Sequence, residues 1–415
     1  MLVHKRDGSV EEFTVEKAIS AIEKAMGDTP KGVDSGLARS AAFMALGILQ
    51  EKFPEDVKVD SIHEAVEESL MRIGACQAAR SYIQYRERHK PDIFRKRENY
   101  LPREYPEFSK FTDAIRQSYW VHTSYPYAGD VQDFRSLMTP PQQSAILRAM
   151  LGISQVEVKV KDFWAKIGDV FQKPEIQEVG ITFGESEVRH ANAYAHLIEI
   201  LQLQDEFSNV LEVPAIRDRV RYISKSMAGA KTDSRKDYVE TILLFSLFIE
   251  NVSLFSQFLI ISAFNKETAM LKGISNAVEA TSLEENIHFM FGAELINVIR
   301  KENPGMFDAQ MEERVQELVQ EAYEAECNIV RWIFEQGEFD FLTVAEVEEY
   351  IKLRFNTGLE QCGFKPSFDL NEELLERTKW FDLQINSAMH SDFFAKHPVG
   401  YTKFKQEFSE DSLFD

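Results

Sequence analysis

The chain reads as a large all-α bundle preceded by a small α+β domain. Apolar residues recur at helical spacing through nearly all of residues 107–385, with no comparable β-period. The first ninety residues differ, with two short strand-like runs at the N-terminus and four helical runs behind them. Two Glu-x-x-His pairs, Glu187–His190 and Glu285–His288, each stand on an apolar helical stretch of the second part. The length of 415 residues allows one large domain and a small one, and 31 Phe suit a thick helical core.

In chain order, Leu2–Lys5 and Ser9–Phe13 flank Asp7-Gly8, a hairpin turn signal. Thr14 is an expected N-cap for a helix through Met26. Further helices are expected over Gly36–Phe53, from an N-cap at Asp60 to Ile73, and over Ala75–His89. Residues 91–106 are rich in charge and Pro, without a helical stripe, and read as a linker. The bundle is expected over residues 107–390. Pro140-Pro141 opens one of its helices and Asn303-Pro304-Gly305 closes another. Ile146–Phe171 carries a helical stripe of Met150, Ile153, Val156, Val160, Phe163 and Trp164. Gly180–Leu203 and Asn286–Ile299 carry the two Glu-x-x-His pairs. Residues 391–415, ending in the acidic, aromatic-dotted Phe408–Asp415, read as a tail.

Residues three apart share one helix face, so each pair aims a carboxylate and an imidazole at one point. With 9 His in the chain, about one Glu-x-x-His is expected by chance, and a single pair would read as a solvated salt bridge. Two pairs on apolar helices are harder to dismiss, because unpartnered buried carboxylates are costly. Leu243–Phe264 adds a third carboxylate. Its one charged residue is Glu250, near its centre. Such a span is long enough to cross a membrane, but its Ser, Asn and Gln residues and charged flanks favour a buried core helix. Glu157, on the Ile146–Phe171 stripe, supplies a fourth. Two Glu-x-x-His pairs plus one carboxylate from each of two more helices form the ligand pattern of ferritin-like dinuclear metal bundles.

The formal net charge of −21 argues against nonspecific nucleic-acid binding and for a soluble protein. Cys76, Cys327 and Cys362 are far apart and suggest neither a disulfide framework nor a zinc site, which points to a reducing cytoplasm. MLVHKRDGSV has no apolar core of a secretory signal.

Residues 107–405 resemble the small, radical-generating subunit of class I ribonucleotide reductase. The likeness rests on SEVRHANAYAH around Glu187 and His190, FIENVSLFSQF around Glu250, EENIHFMFG around Glu285 and His288, and HSDFFAKHPVGY near the C-terminus. It implies a dimetal site, of manganese or iron, held by Glu157, Glu187, His190, Glu250, Glu285 and His288. It implies that Tyr194, one turn beyond His190, stands at the radical tyrosine position. Trp120, Glu284 and Tyr401 match the family's relay towards a large catalytic subunit, Glu284 joining Trp120 to His190. Glu157 and Glu284 stand where the family commonly has Asp. The longer Glu157 bears on the hydrogen bond to Tyr194, so storage of the oxidant on the metals stays open beside a tyrosyl radical, with a lean towards a manganese-competent site.

Residues 1–90 resemble an ATP-cone, a nucleotide-binding regulatory module, through VHKRDGSVEEF and ARSYIQYRERH. Lys5, Arg6 and Lys17 supply positive charge. By the resemblance Glu11 and His63 stand near the base or sugar, and Arg88 near a phosphate. No P-loop is present, so sensing without hydrolysis is expected. The resemblance implies ribonucleotide reduction together with a large subunit, a homodimer, and dATP inhibition through a larger oligomer. Two other classes stay open at this point: a ferritin-like di-metal oxidase or oxygenase with its own substrate, and a non-enzymatic nucleotide-sensing protein.

Overall fold

A computed structural model of the chain describes residues 1–4, 10–27, 29–53, 55–89, 92–101, 103–231 and 234–392. The chain divides into two compact units. One is Met1–Asp92 with Arg103–Pro106, the other Ile93–Pro102 with Glu107–Asp415.

In the small unit, β1 (Leu2–His4) pairs antiparallel with β2 (Val10–Glu12) and parallel with β3 (Asp56–Lys58), giving the order β2-β1-β3. Four helices cover it: α1 (Val15–Gly27), α2 (Ser35–Lys52), α3 (Val59–Arg72) and α4 (Cys76–His89). Their small apolar faces, Ala18, Ala25, Ala38, Ala41, Ala42 and Ala45 among them, allow close packing around Ile22, Leu49, Val57 and Leu70. Asp34 caps α2 by accepting from Leu37 N at 3.0 Å. One strand was missed and one expectation needs correction. Strand β3 had no period to betray it, being three residues long. Asp60 is not the cap of α3; the helix already starts at Val59, after Lys58, and Asp60 lies in its first turn.

The large unit is helical throughout: α5 (Ser109–Gln117), α6 (Ala128–Gln132), α7 (Pro140–Ala165), α8 (Pro174–Leu201), α9 (Gln204–Ser208), α10 (Pro214–Ser226), α11 (Arg235–Leu244), α12 (Phe255–Thr268), α13 (Lys272–Glu302), α14 (Ala309–Ile333), α15 (Val344–Gln361), α16 (Glu372–Leu375) and α17 (Lys379–Asp392). Thr139 and Gln142 form a capping box at α7, with Pro140 in its first turn. Thr343 and Glu346 do the same for α15. The expected Ile146–Phe171 helix stops at Ala165, and Pro174 opens α8 earlier than expected. Residues of the expected linker are built into this unit. Ile93 is fully buried, its N–H bonds Glu302 Oε2 at 2.9 Å, and Phe94 packs on Phe171 at 5.2 Å.

Helices α7 and α8 touch backbone to backbone. A Cβ on Gly180 would lie 2.5 Å from Trp164 O, so only glycine permits this approach.

The apolar Leu243–Phe264 stretch is not one regular helix. Between α11 and α12 lies a π-helical segment, Phe245–Ser253, all of it buried. Ser253 Oγ donates to Phe248 O, five residues back, at 2.8 Å. Asn251 Nδ2 donates to Arg354 O at 2.7 Å, and Arg354 Nε returns a bond to Asn251 O at 2.9 Å. Such wide turns are stable only where neighbours fix them and are frequent at functional sites. The 18-residue window that is apolar enough to cross a membrane lies wholly inside the bundle, as expected of a core helix.

Candidate dinuclear metal site

Six side chains meet inside the bundle. Glu157 comes from α7, Glu187 and His190 from α8, Glu250 from the π-helical segment, and Glu285 and His288 from α13. None is more than 1% exposed. Their donor atoms form two interlocking groups, Glu157–Glu187–His190–Glu285 and Glu187–Glu250–Glu285–His288, the atoms of each lying within 4.8 Å of one another. Glu187 and Glu285 belong to both groups.

Both imidazoles turn Nδ1 inward. His190 Nδ1 is 3.1 Å from Glu285 Oε1, and His288 Nδ1 is 3.1 Å from Glu285 Oε2 and 3.2 Å from Glu187 Oε1. Each Nε2 is held from outside. His190 Nε2 lies 2.7 Å from Glu284 Oε2, and His288 Nε2 lies 2.9 Å from Ser186 Oγ. The Ser186 hydroxyl donates to Phe183 O at 2.8 Å, so towards His288 it is the acceptor. Each Nε2 thus donates outward, which leaves Nδ1 as the ring nitrogen that would face a metal ion.

The residues fit a pair of metal ions. Among the described residues, both oxygens of Glu157 and Glu187, His190 Nδ1 and Glu285 Oε1 have no hydrogen-bond partner. Orphaned polar atoms at this depth are costly. Carboxylates with imidazoles are a donor set for manganese or iron.

In the metal-free protein protons must offset the crowding. Burial pushes Glu157 and Glu250 well above the usual carboxylate range and Glu187 above it, and neighbouring carboxylates add to the effect. Burial would raise Glu285 too, but the close approach of Glu250, His190 and His288 holds it well below. Burial opposes charge on the imidazoles, yet their carboxylate partners lift both well above the usual value.

The chain matches the ribonucleotide reductase small chain family over residues 97–373, and the ATP cone domain over residues 1–91. It belongs to the ribonucleotide reductase small chain family. The chain is similar to a protein named probable ribonucleoside-diphosphate reductase small subunit of Invertebrate iridescent virus 3, 25% identical over 74% of this chain and 85% of that protein. It is also similar to the subunit beta of Chlamydia pneumoniae, 22% identical over 60% of this chain and 75% of that protein. Its fold matches the ribonucleotide reductase R2 subunit of Clostridium botulinum, with a TM-score of 0.63 at 17% identity over 70% of this chain and 91% of that one. It also matches the dimanganese(II)-NrdF of Streptococcus sanguinis, with a TM-score of 0.58 at 14% identity over 69% and 99%. The protein is thus a small subunit of an oxidoreductase, fused to an ATP-cone.

The structure places the other expected residues unevenly. Tyr194 is buried, and its hydroxyl donates to Thr281 Oγ1 at 3.2 Å. Its expected partner Glu157 is not bonded to it. Burial, then the nearby Glu157 charge, holds the phenol well above its ordinary pKa. Trp120 stacks on His190, with ring centres 6.0 Å apart and planes at 23°. Glu284 reaches His190 but does not join it to Trp120, whose buried Nε1 has no hydrogen-bond partner among the described residues. Arg189, which sequence reasoning missed, occupies Glu284 instead. Its Nη1 donates to Glu284 Oε2 at 3.1 Å and to Trp120 O at 3.0 Å. Ser118 Oγ donates to Glu284 Oε1 at 3.0 Å. Tyr401 lies outside the described residues.

In the small unit, Lys17 pairs with Glu11 at 2.9 Å, and His63 Nδ1 lies 2.9 Å from Tyr82 Oη. Lys5, Arg6 and the side chain of Arg88 lie outside the described residues.

Proposed function

We propose that the protein is the radical-generating subunit of a class I ribonucleotide reductase, with Glu157, Glu187, His190, Glu250, Glu285 and His288 holding two manganese or iron ions. The observation that carries this reading is the pair of interlocking donor groups sharing Glu187 and Glu285. When bound, the ions supply the oxidising equivalent that a large catalytic subunit uses on ribonucleotides. The chain's own residues exclude water, fix both imidazoles through Nε2, and keep Tyr194 protonated on Thr281. That last bond, made away from Glu157, favours storage of the oxidant on manganese over a tyrosyl radical. Trp120, stacked on His190, starts the exit route, and Glu284 orients His190 beside it. Tyr401 and residues 391–415 serve the large subunit. Exposed Ile181 and Val188, two turns apart on α8, support a homodimer.

Residues 1–90 form the regulatory domain and residues 107–390 the radical-generating domain, with 91–106 between them and Ile93–Pro102 packed with the latter. Lys5, Arg6, Glu11, Lys17, His63 and Arg88 take up ATP or dATP. ATP permits turnover, and dATP stops it by driving a larger oligomer. The protein works in the cytoplasm, without nucleic acid or membrane. Metal-free protein reconstituted with manganese or iron tests this reading through EPR and turnover with a large subunit. A manganese signal without a tyrosyl radical, and activity lost with dATP as mass rises, are expected. Activity and mass that stay flat across a dATP titration would remove the regulatory part.

A further inference from the structure

The two halves of the cluster are held differently. In one half His190 is backed by the carboxylate of Glu284, and neither oxygen of Glu157 has a protein partner among the described residues. In the other half both ligands are tied by neutral groups. Trp164 Nε1 donates to Glu250 Oε1 at 2.6 Å, and Ser186 Oγ accepts from His288 Nε2 at 2.9 Å.

Trp164 is fully buried near the end of α7. Phe163, Phe183, Phe245 and Phe291 meet it edge-on, with ring centres 5.3, 5.6, 5.4 and 5.6 Å away. The indole cannot turn without displacing these rings. One oxygen of Glu250 is therefore committed to it. The other, Oε2, faces the centre, 3.5 Å from His288 Nδ1. Glu250 also stands in the π-helical segment, where the backbone register is the least regular of the four ligand-bearing elements. A fixed indole compensates for that.

We propose that Trp164 and Ser186 are positioning residues for the Glu250–His288 half, so that the two metal positions are inequivalent and separately tuned. The inference rests on the dinuclear reading and deepens it. Neither residue faces the centre itself; each acts through the ligand it holds. Outer partners of this kind typically change metal affinity by about 10–100-fold.

The test is a stepwise Mn(II) titration of metal-free, full-length protein, with free Mn(II) read by EPR. Two binding events per chain are expected. Trp164→Phe keeps the ring packing and removes the N–H; Ser186→Ala removes one hydroxyl. Each should weaken one event by about 10-fold or more and leave the other in place. In a Glu157→Ala background, which lacks a ligand of the other half, Trp164→Phe should weaken the event that remains. Melting of the metal-free variants checks their fold, and Ser186→Ala decides alone if Trp164→Phe does not fold. Two events in the parent protein that both variants leave unchanged, or weaken together, would overturn the inference and spare the dinuclear reading. Parent protein that binds no Mn(II) would remove both.

Discussion

The small unit and the bundle place charge in opposite ways. The small unit keeps most of its described ion pairs outside: Lys17–Glu11, Lys52–Glu68 and Arg72–Glu68 lie at the surface over a core of apolar side chains, and Arg86–Glu67 is half-buried. The bundle buries charge. The four carboxylates of the candidate metal site, together with Glu284, Arg189, Arg219 and Glu326, all lie within its core. Buried charge is costly and persists only where partners compensate it, so in the bundle it marks chemistry or architecture. Surface pairs cost little, so their placement alone singles out neither.

The largest effect should come from a shared ligand. Glu187 stands in both donor groups, so Glu187→Ala should lose both metal ions, whereas Glu157→Ala should keep one. Metal analysis after reconstitution checks this. The metal-free Glu187→Ala protein should melt higher than its parent, because a crowded carboxylate is gone.

Buried charge that serves architecture should behave otherwise. Arg219 donates to Glu326 Oε1 at 3.0 Å and to Gly152 O at 3.1 Å, and Tyr222 joins Glu326 to Ser253 at the end of the π-helical segment. Arg219→Leu leaves the buried Glu326 carboxylate without its counter-charge and should cost about 3–5 kcal/mol in denaturant unfolding, with metal stoichiometry kept in the fraction that folds. Gly292→Ala probes the same segment. A Cβ there would lie 1.9 Å from Ser246 Oγ, so overpacking should cost about 1–3 kcal/mol, partly relieved by Ser246→Gly.

The pH response should separate metal-free from loaded protein. His190 and His288 have folded pKa values raised above the ordinary 6.5. Their stabilisation is complete below 6.5 and lost as pH rises through the raised values. Glu157, Glu187 and Glu250, raised above 4.5, act in the same direction. Glu285, lowered, contributes above 4.5 and loses its contribution as pH falls through its depressed value. Melting of metal-free protein should therefore fall as pH rises above 6.5. Metal affinity should rise over the same range, because binding releases those protons. The smallest effect belongs to the surface. Lys17→Ala should change stability by less than about 1 kcal/mol, yet weaken ATP binding in calorimetry.

This contrast also explains what was legible in the sequence. Glu250 stood out because it was the one charge in an apolar stretch, and the Glu-x-x-His spacing carried Glu187, His190, Glu285 and His288, whereas Glu157 looked like an ordinary amphipathic-helix glutamate. Trp164 is seven residues after Glu157, on the same face, but an indole in an apolar stripe looks like packing. Its hydrogen bond to Glu250 arises only when α7 packs against the π-helical segment, 86 residues on. Arg189 was hidden for a similar reason: nothing local tells that it will take the Glu284 carboxylate expected at Trp120. The π-helical segment has no residue signature of its own, since its wide turn is set by Asn251, Arg354 and the room left at Gly292. Strand β3 was too short to show a period.

The most direct test is manganese content and EPR of reconstituted full-length protein. Two ions sharing Glu187 and Glu285 should give about two Mn per chain with an exchange-coupled spectrum. One ion per chain, or two ions with independent spectra, would contradict a shared dinuclear site.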